Sequence, residues 1–270
     1  MPIPGVRPIV VISRCIDFDS CRYIGQVIRA SLREELEPFV DFTPLCPELE
    51  IGLGVPRDPV RLVRRSDGPH MVQPSTGRDL TRAMSSFAAR FLDSLEGVDG
   101  FILKSRSPSC AIRDGKVFDS DAEDAGPDSG PGLFAARVLE RFPAAAIEDE
   151  RRLEDAWPRH HFLTKLFTLA SFRLAVADRD RSALLAFHAA NEPLLTAYDE
   201  GRAGRLGRLV AGAPDPVPAE LVAECRDELA ATLAKPPRPG GSQSFVAPYP
   251  AALVRVERPR GRASTAAVDR

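Results

Sequence analysis

The chain has 270 residues, 44% of them apolar and 27% charged, with a formal net charge of -2. That composition fits a globular protein of one large domain or two modest ones, and it excludes a global basic field that would attract nucleic acid. No stretch reaches the roughly 18 apolar residues of a membrane span. The 5 cysteines stand at positions 15, 21, 46, 110 and 225. Their odd number, and an N-terminus without an apolar signal core, argue for reduced thiols in the cytoplasm rather than a disulfide framework.

Residues 8–13 form an apolar, strand-like run that leads to Cys15. Residues 23–36 then place Ile24, Val27, Ile28, Leu32 and Leu36 at helical spacing. A second strand is expected over 39–43, ahead of Cys46. Residues 80–95 carry Leu80, Met84, Phe87, Ala88, Phe91, Leu92 and Leu95 on one helical face, with Asp79 as N-cap. A third strand, 100–104, precedes Cys110. Residues 120–132, rich in Asp, Gly and Pro, read as a surface loop, and a helix over 133–141 stops before Pro143. This alternation predicts a parallel α/β sheet.

From about residue 151 the pattern is helical only, with helices expected over 160–176, 182–199, 201–211 and 217–234. From 236 onward prolines and arginines dominate, which reads as a disordered basic tail. Charge divides the same way: residues 1–150 hold 18 basic against 24 acidic side chains, 151–235 hold 12 against 12, and the tail holds 6 against 2.

Cys15, Cys46 and Cys110 each follow a predicted strand. An open parallel sheet binds ligands beyond the carboxyl ends of its strands, so three such thiols meet in one place. Three thiolates on a metal centre leave one position open for substrate. The competing reading is that each cysteine is a small buried hydrophobe. The gaps between them are too long for a C-x-x-C motif, so spacing alone is a weak signal.

Five ordered motifs add to this: Ile12-Ser13-Arg14-Cys15, Cys46-Pro47-Glu48, Gly52-Leu53-Gly54-Val55-Pro56-Arg57, Gly77-Arg78-Asp79-Leu80-Thr81, and Lys104-Ser105-Arg106-Ser107-Pro108-Ser109-Cys110. With Gly130-Pro131-Gly132-Leu133-Phe134-Ala135 downstream, the segment 8–155 resembles the thiouracil desulfidase family. The resemblance implies a [4Fe-4S] cluster on Cys15, Cys46 and Cys110, with its fourth iron free to take sulfur from a thiolated pyrimidine. It also implies acid/base roles for Glu48 and Ser107. On residue type alone, Glu48 reads as a helix-start carboxylate and Ser107 as a turn hydroxyl.

The chain departs from the family pattern in having Ala111 after the third cysteine, in losing an acidic residue after Tyr23, and in gaining Cys21. Cys21 reads as a bystander, with a resolving thiol or a fourth ligand as alternatives. Residues 159–169 and 184–189 resemble a helical domain fused to such desulfidases, whose fused members act on 4-thiouridine in tRNA. That match ends near residue 234, so the helical domain is expected to be incomplete. Arg202, Arg205 and Arg208 form a stripe able to track an RNA backbone, although such stripes are more often solvated faces. His160, His161 and His188 read as packing or surface residues.

The expected architecture is a Rossmann-like α/β domain over 1–152, a small all-α domain over 153–235 and a disordered tail over 236–270. The expected function is desulfidation of a thiolated uracil, with 4-thiouridine in tRNA as substrate. The alternatives are the same chemistry on a free base or nucleotide, and a non-enzymatic metal or cluster module with a helical interaction domain. Hydrolysis is redox-neutral, so no nicotinamide or flavin is expected, and consistently there is no G-x-G-x-x-G after the first strand and no Walker loop.

Overall fold

The computed structural model describes residues 5–119, 127–237 and 247–253. Its centre is a parallel sheet of four strands in the order β2 (Asp41–Leu45), β1 (Ile9–Ser13), β6 (Gly100–Leu103), β9 (Ala146–Asp149). The run Ile9-Val10-Val11-Ile12 is apolar without alternation because both faces of β1 are covered. Val11, Phe101 and Leu103 pack against helices α3 (Thr81–Asp93) and α4 (Leu133–Arg141), through Met84, Phe87 and Phe134. Val10, Ile12 and Ile102 face the other way, toward Leu32 and Leu36 of α1 (Leu32–Leu36) and Phe162, Leu163, Leu166 and Phe167 of α5 (Ala156–Ala175).

A second sheet, not anticipated from sequence, runs β5 (Arg78–Asp79), β4 (Gly68–Gln73), β3 (Arg61–Arg65), β7 (Gly115–Phe118), β8 (Pro127–Gly130). The strand β8 falls inside the expected loop 120–132; residues 120–126 of that loop lie outside the described residues. Antiparallel pairing with β7 gives this Asp- and Gly-rich segment hydrogen-bond partners that its composition does not advertise.

The helix expected over 23–36 is also corrected, since only Leu32–Leu36 is helical. Tertiary hydrogen bonds compete for the backbone before it. Ile28 N–H donates to Cys15 O at 2.8 Å, and Asp17 N–H donates to Ile28 O at 2.9 Å. The Asp17 carboxylate then accepts from the N–H groups of Ala30 at 2.7 Å and Leu32 at 2.8 Å. Helical spacing was present, but the chain is used instead as a loop anchored to the Cys15 turn.

The C-terminal helices are α5, α6 (Arg181–Ala211) and α7 (Ala219–Thr232). A break at Asp199 (φ −158°) divides α6 where two helices were expected to meet. The first half of α5 belongs to the sheet's core, while Leu169 and Phe172 from its second half join α6 and α7 in a separate cluster. A boundary after residue 152 therefore does not separate two cores.

The tail expectation needs a partial correction. Residues 247–253 are docked, with Tyr249 and Leu253 each 3% exposed in the same cluster as Phe162 and Phe167. The Tyr249 hydroxyl lies 2.5 Å from Nδ1 of His160. Burial of these two apolar side chains against the α5 face favours the docked segment. The rest of the expected tail, 238–246 and 254–270, lies outside the described residues.

Candidate active site

The parallel sheet ends in a cavity of about 450 Å³ beyond the carboxyl ends of its strands. Cys15 enters it two residues after β1, Cys46 directly after β2, and Cys110 from the turn that follows β6. The three predicted thiols thus line one cavity, although 31 and 64 residues separate them along the chain. Pro47 starts the short helix α2 (Pro47–Glu50) right after Cys46, which fixes that thiol at the turn between strand and helix. Gly132 makes room for the Cys110 turn: a Cβ there would lie 2.4 Å from the Ser109 carbonyl carbon.

Cys21 is also in the site. It is 2% exposed and lines the same cavity, and the Cys46 thiol lies 3.9 Å from its carbonyl oxygen. The loop that replaces the expected helix folds back over the strand ends and carries this thiol in beside the three expected ones. The odd placement of a cysteine six residues after a predicted ligand was the only signal available.

Glu48 lines the cavity with a side chain 13% exposed. Its Oε2 accepts from Nε of Arg57 at 3.1 Å and from Nη2 of the same guanidinium, and its Oε1 accepts from Ser109 Oγ at 2.8 Å. Arg57 Nη1 donates to the carbonyls of Cys21 and Gly54, each at 3.0 Å. One buried guanidinium therefore holds the acidic residue and the Cys21 loop together, a role its position in the Gly52–Arg57 motif did not disclose. Ser107 Oγ accepts from the N–H groups of Ser109 at 3.2 Å and Cys110 at 3.1 Å, as a turn hydroxyl does. Its side chain also lines the cavity beside the Cys110 thiol. Lys104 reaches the rim from the end of β6, pairing with Glu150 at 2.6 Å.

The thiols sit in surroundings that favour their neutral form. Its interaction with the Cys15 side chain pushes Cys21 up to about 12, with burial adding to it. Cys46 is raised by its hydrogen bond with Cys21 and by burial, and burial carries Cys110 to about 12. Buried soft thiols of this kind become ligands only when a cation takes the place of the proton. Among the described residues no three His, Cys, Asp or Glu donors are placed to hold one metal ion. An iron–sulfur cluster takes its thiolates on different irons, so thiols spread around one cavity fit it.

A family model described as 2-thiouracil desulfurase matches residues 10–150, which include Cys15, Cys46, Glu48, Arg57, Ser107 and Cys110. The chain belongs to this family. Among proteins similar to this family member is the uncharacterized protein YbbK of Bacillus subtilis (strain 168), 27% identical over 108 residues, or 37% of this chain and 72% of that protein. A solved structure titled [4Fe-4S]-dependent thiouracil desulfidase TudS is 24% identical, with a TM-score of 0.42, covering 55% of this chain and 94% of that one.

The remaining predicted residues lie elsewhere. Arg202 and Arg205 both pair with Glu228 of α7, at 3.2 and 3.0 Å, and so tie α6 to α7. His161 Nδ1 lies 3.1 Å from the Tyr198 hydroxyl, with the rings stacked, and His160 contacts Tyr249, so both are packing residues. His188 packs against Gly207 within α6. Among the described residues, no helix is long and apolar enough to cross a membrane.

Proposed function

We propose that the chain removes sulfur from a thiolated uracil, using a [4Fe-4S] cluster on Cys15, Cys46 and Cys110. The observation that carries this reading is the meeting of those thiols with Glu48 at the strand ends, in one cavity of about 450 Å³. The overall reaction is hydrolytic: the thiocarbonyl and water give the carbonyl and hydrogen sulfide, with no change of oxidation state. When bound, the cluster supplies a Lewis-acidic iron for the thiocarbonyl sulfur.

The protein's own part begins with Glu48. Its pairing with Arg57 fixes the carboxyl group at the cavity wall, placed to accept a proton from the water that attacks the pyrimidine ring. Ser109, buried behind the cavity wall, donates to Glu48 Oε1 and sets the orientation of that carboxyl group. Ser107 accepts from two backbone N–H groups, which leaves its own hydrogen to orient a substrate atom or the Cys110 sulfur. The leaving sulfur requires protons as well, and the same hydroxyl serves that step.

Substrate size divides the reading. The tRNA substrate expected from the helical half rests on Arg202, Arg205 and Arg208. The pairing of Arg202 and Arg205 with Glu228 favours the second reading, a free thiouracil base or thiouridine nucleotide. Cytoplasmic location belongs to either reading.

The test is anaerobic reconstitution followed by assay of sulfide release from thiouracil, thiouridine monophosphate and thiolated tRNA. Sulfide from at least one, with a loss of about 10²-fold or more in Glu48→Gln, supports the proposal. Iron incorporation without sulfide release from any of them would sink it. Turnover of thiolated tRNA but not the small substrates would restore the RNA reading.

A further inference from the structure

Three cysteines were expected at this site, and the structure brings four. Cys21 is no surface thiol: it is 2% exposed and lines the cavity together with Cys15, Cys46 and Cys110. Its backbone is held there from two directions. Arg57 Nη1 donates to the Cys21 carbonyl at 3.0 Å, and the Cys46 thiol lies 3.9 Å from the same oxygen. Arg57 in turn is fixed by Glu48, and Arg57 N–H donates to Tyr23 O at 3.0 Å, closing the Cys21 loop onto the Gly52–Arg57 segment. Cys225, by contrast, is 0% exposed inside the helical core and touches none of this.

We propose that Cys21 is a fourth thiolate ligand, occupying the position on the cluster that Cys15, Cys46 and Cys110 leave open until substrate sulfur replaces it. The inference rests on the cluster reading above. A cubane has four irons, and full thiolate ligation is its commonest protein environment. The exchange would be balanced and redox-neutral: Cys21 would leave the cluster as the substrate sulfur takes its place, and its thiolate would take up the N–H proton that the thioamide gives up on binding as a thiolate. Cys21 stands on an irregular loop rather than on a strand, so its withdrawal breaks no sheet pairing.

The test uses the full chain, reconstituted anaerobically with iron and sulfide, as wild type, Cys21→Ala and Cys21→Ser. Each is treated with a mild oxidant, and bound iron and the paramagnetic signal of a three-iron cluster are measured. An iron without a thiolate is lost first under oxidation. The expected result is that wild type keeps about four irons per chain, while Cys21→Ala loses one and its three-iron signal rises from trace to near-stoichiometric. A Mössbauer spectrum of isotopically enriched wild type supplies a readout that does not depend on any variant folding. Four equivalent thiolate-bound irons support the assignment; one distinct iron overturns it. Equal three-iron signals in wild type and Cys21→Ala also overturn it while leaving the cluster in place. A wild-type protein that takes up no iron overturns this inference and the proposed function together.

Discussion

Arg57 shows how much one side chain decides at this site. Its guanidinium is 6% exposed and binds Glu48, the Cys21 carbonyl and the Gly54 carbonyl at once. Arg57→Ala leaves Glu48 as an uncompensated buried carboxylate and frees the Cys21 loop. The expected loss is about 3–5 kcal/mol in urea unfolding, and Arg57→Lys recovers only part of it because an ammonium cannot span the same fork of acceptors. A loss below about 1 kcal/mol would mean that the pair is solvated in solution. Glu48 and Ser107 were legible as residues of interest through their motifs. Their partners were not, because nothing in a local motif specifies that an arginine nine positions away folds back onto the glutamate.

At the scale of elements, the strand ends and the turn after β6 place the thiols, and backbone proximity sets the tolerance. The position of Gly132, at the start of α4, has the Ser109 carbonyl carbon 2.4 Å from where a Cβ would stand. Gly132→Ala should push the Cys110 turn away, lowering stability by about 1–3 kcal/mol and reducing iron uptake; full iron loading at unchanged stability would contradict this. Helices α5 and α6 are joined in part by His161 stacked on Tyr198. Burial lowers His161 to about 4, so the folded protein refuses a proton that the unfolded chain accepts. Stability is therefore complete above the unfolded value of about 6.5 and falls as pH drops toward 4, by at most about 3 kcal/mol. Thermal unfolding across that window checks it, and His161→Gln should flatten the slope. Helix α3 and strands β1, β2 and β6 were readable because their apolar patterns serve one purpose each. The 23–36 segment was misread because its apolar residues do have helical spacing, yet its N–H groups are claimed by Asp17 and the Cys15 turn.

For the whole molecule, the division into an α/β domain and a helical domain conceals a shared core. Phe162, Leu163, Leu166 and Phe167 of α5 cover the sheet face formed by Val10, Ile12 and Ile102, and Tyr249 and Leu253 close over them. Ending the chain after residue 154 removes that cover, so the product should be insoluble or lack a cooperative unfolding transition. A soluble fragment that unfolds cooperatively would show that the α/β half stands alone. The same packing commits the first helix of the C-terminal half to the sheet, and two arginines of its second helix pair with the third.

Composition, periodicity and motif order by themselves determined the α/β class, the parallel strands, the helical C-terminal half and the three cysteines that follow strand ends. These are local properties, written within one element or one turn. The tertiary structure alone decided the second sheet, the buried Arg57–Glu48 pair, the docking of residues 247–253 and the entry of Cys21 into the cavity. Each depends on contacts between segments far apart in sequence, where burial and satisfied hydrogen bonds outweigh the preference of any single segment.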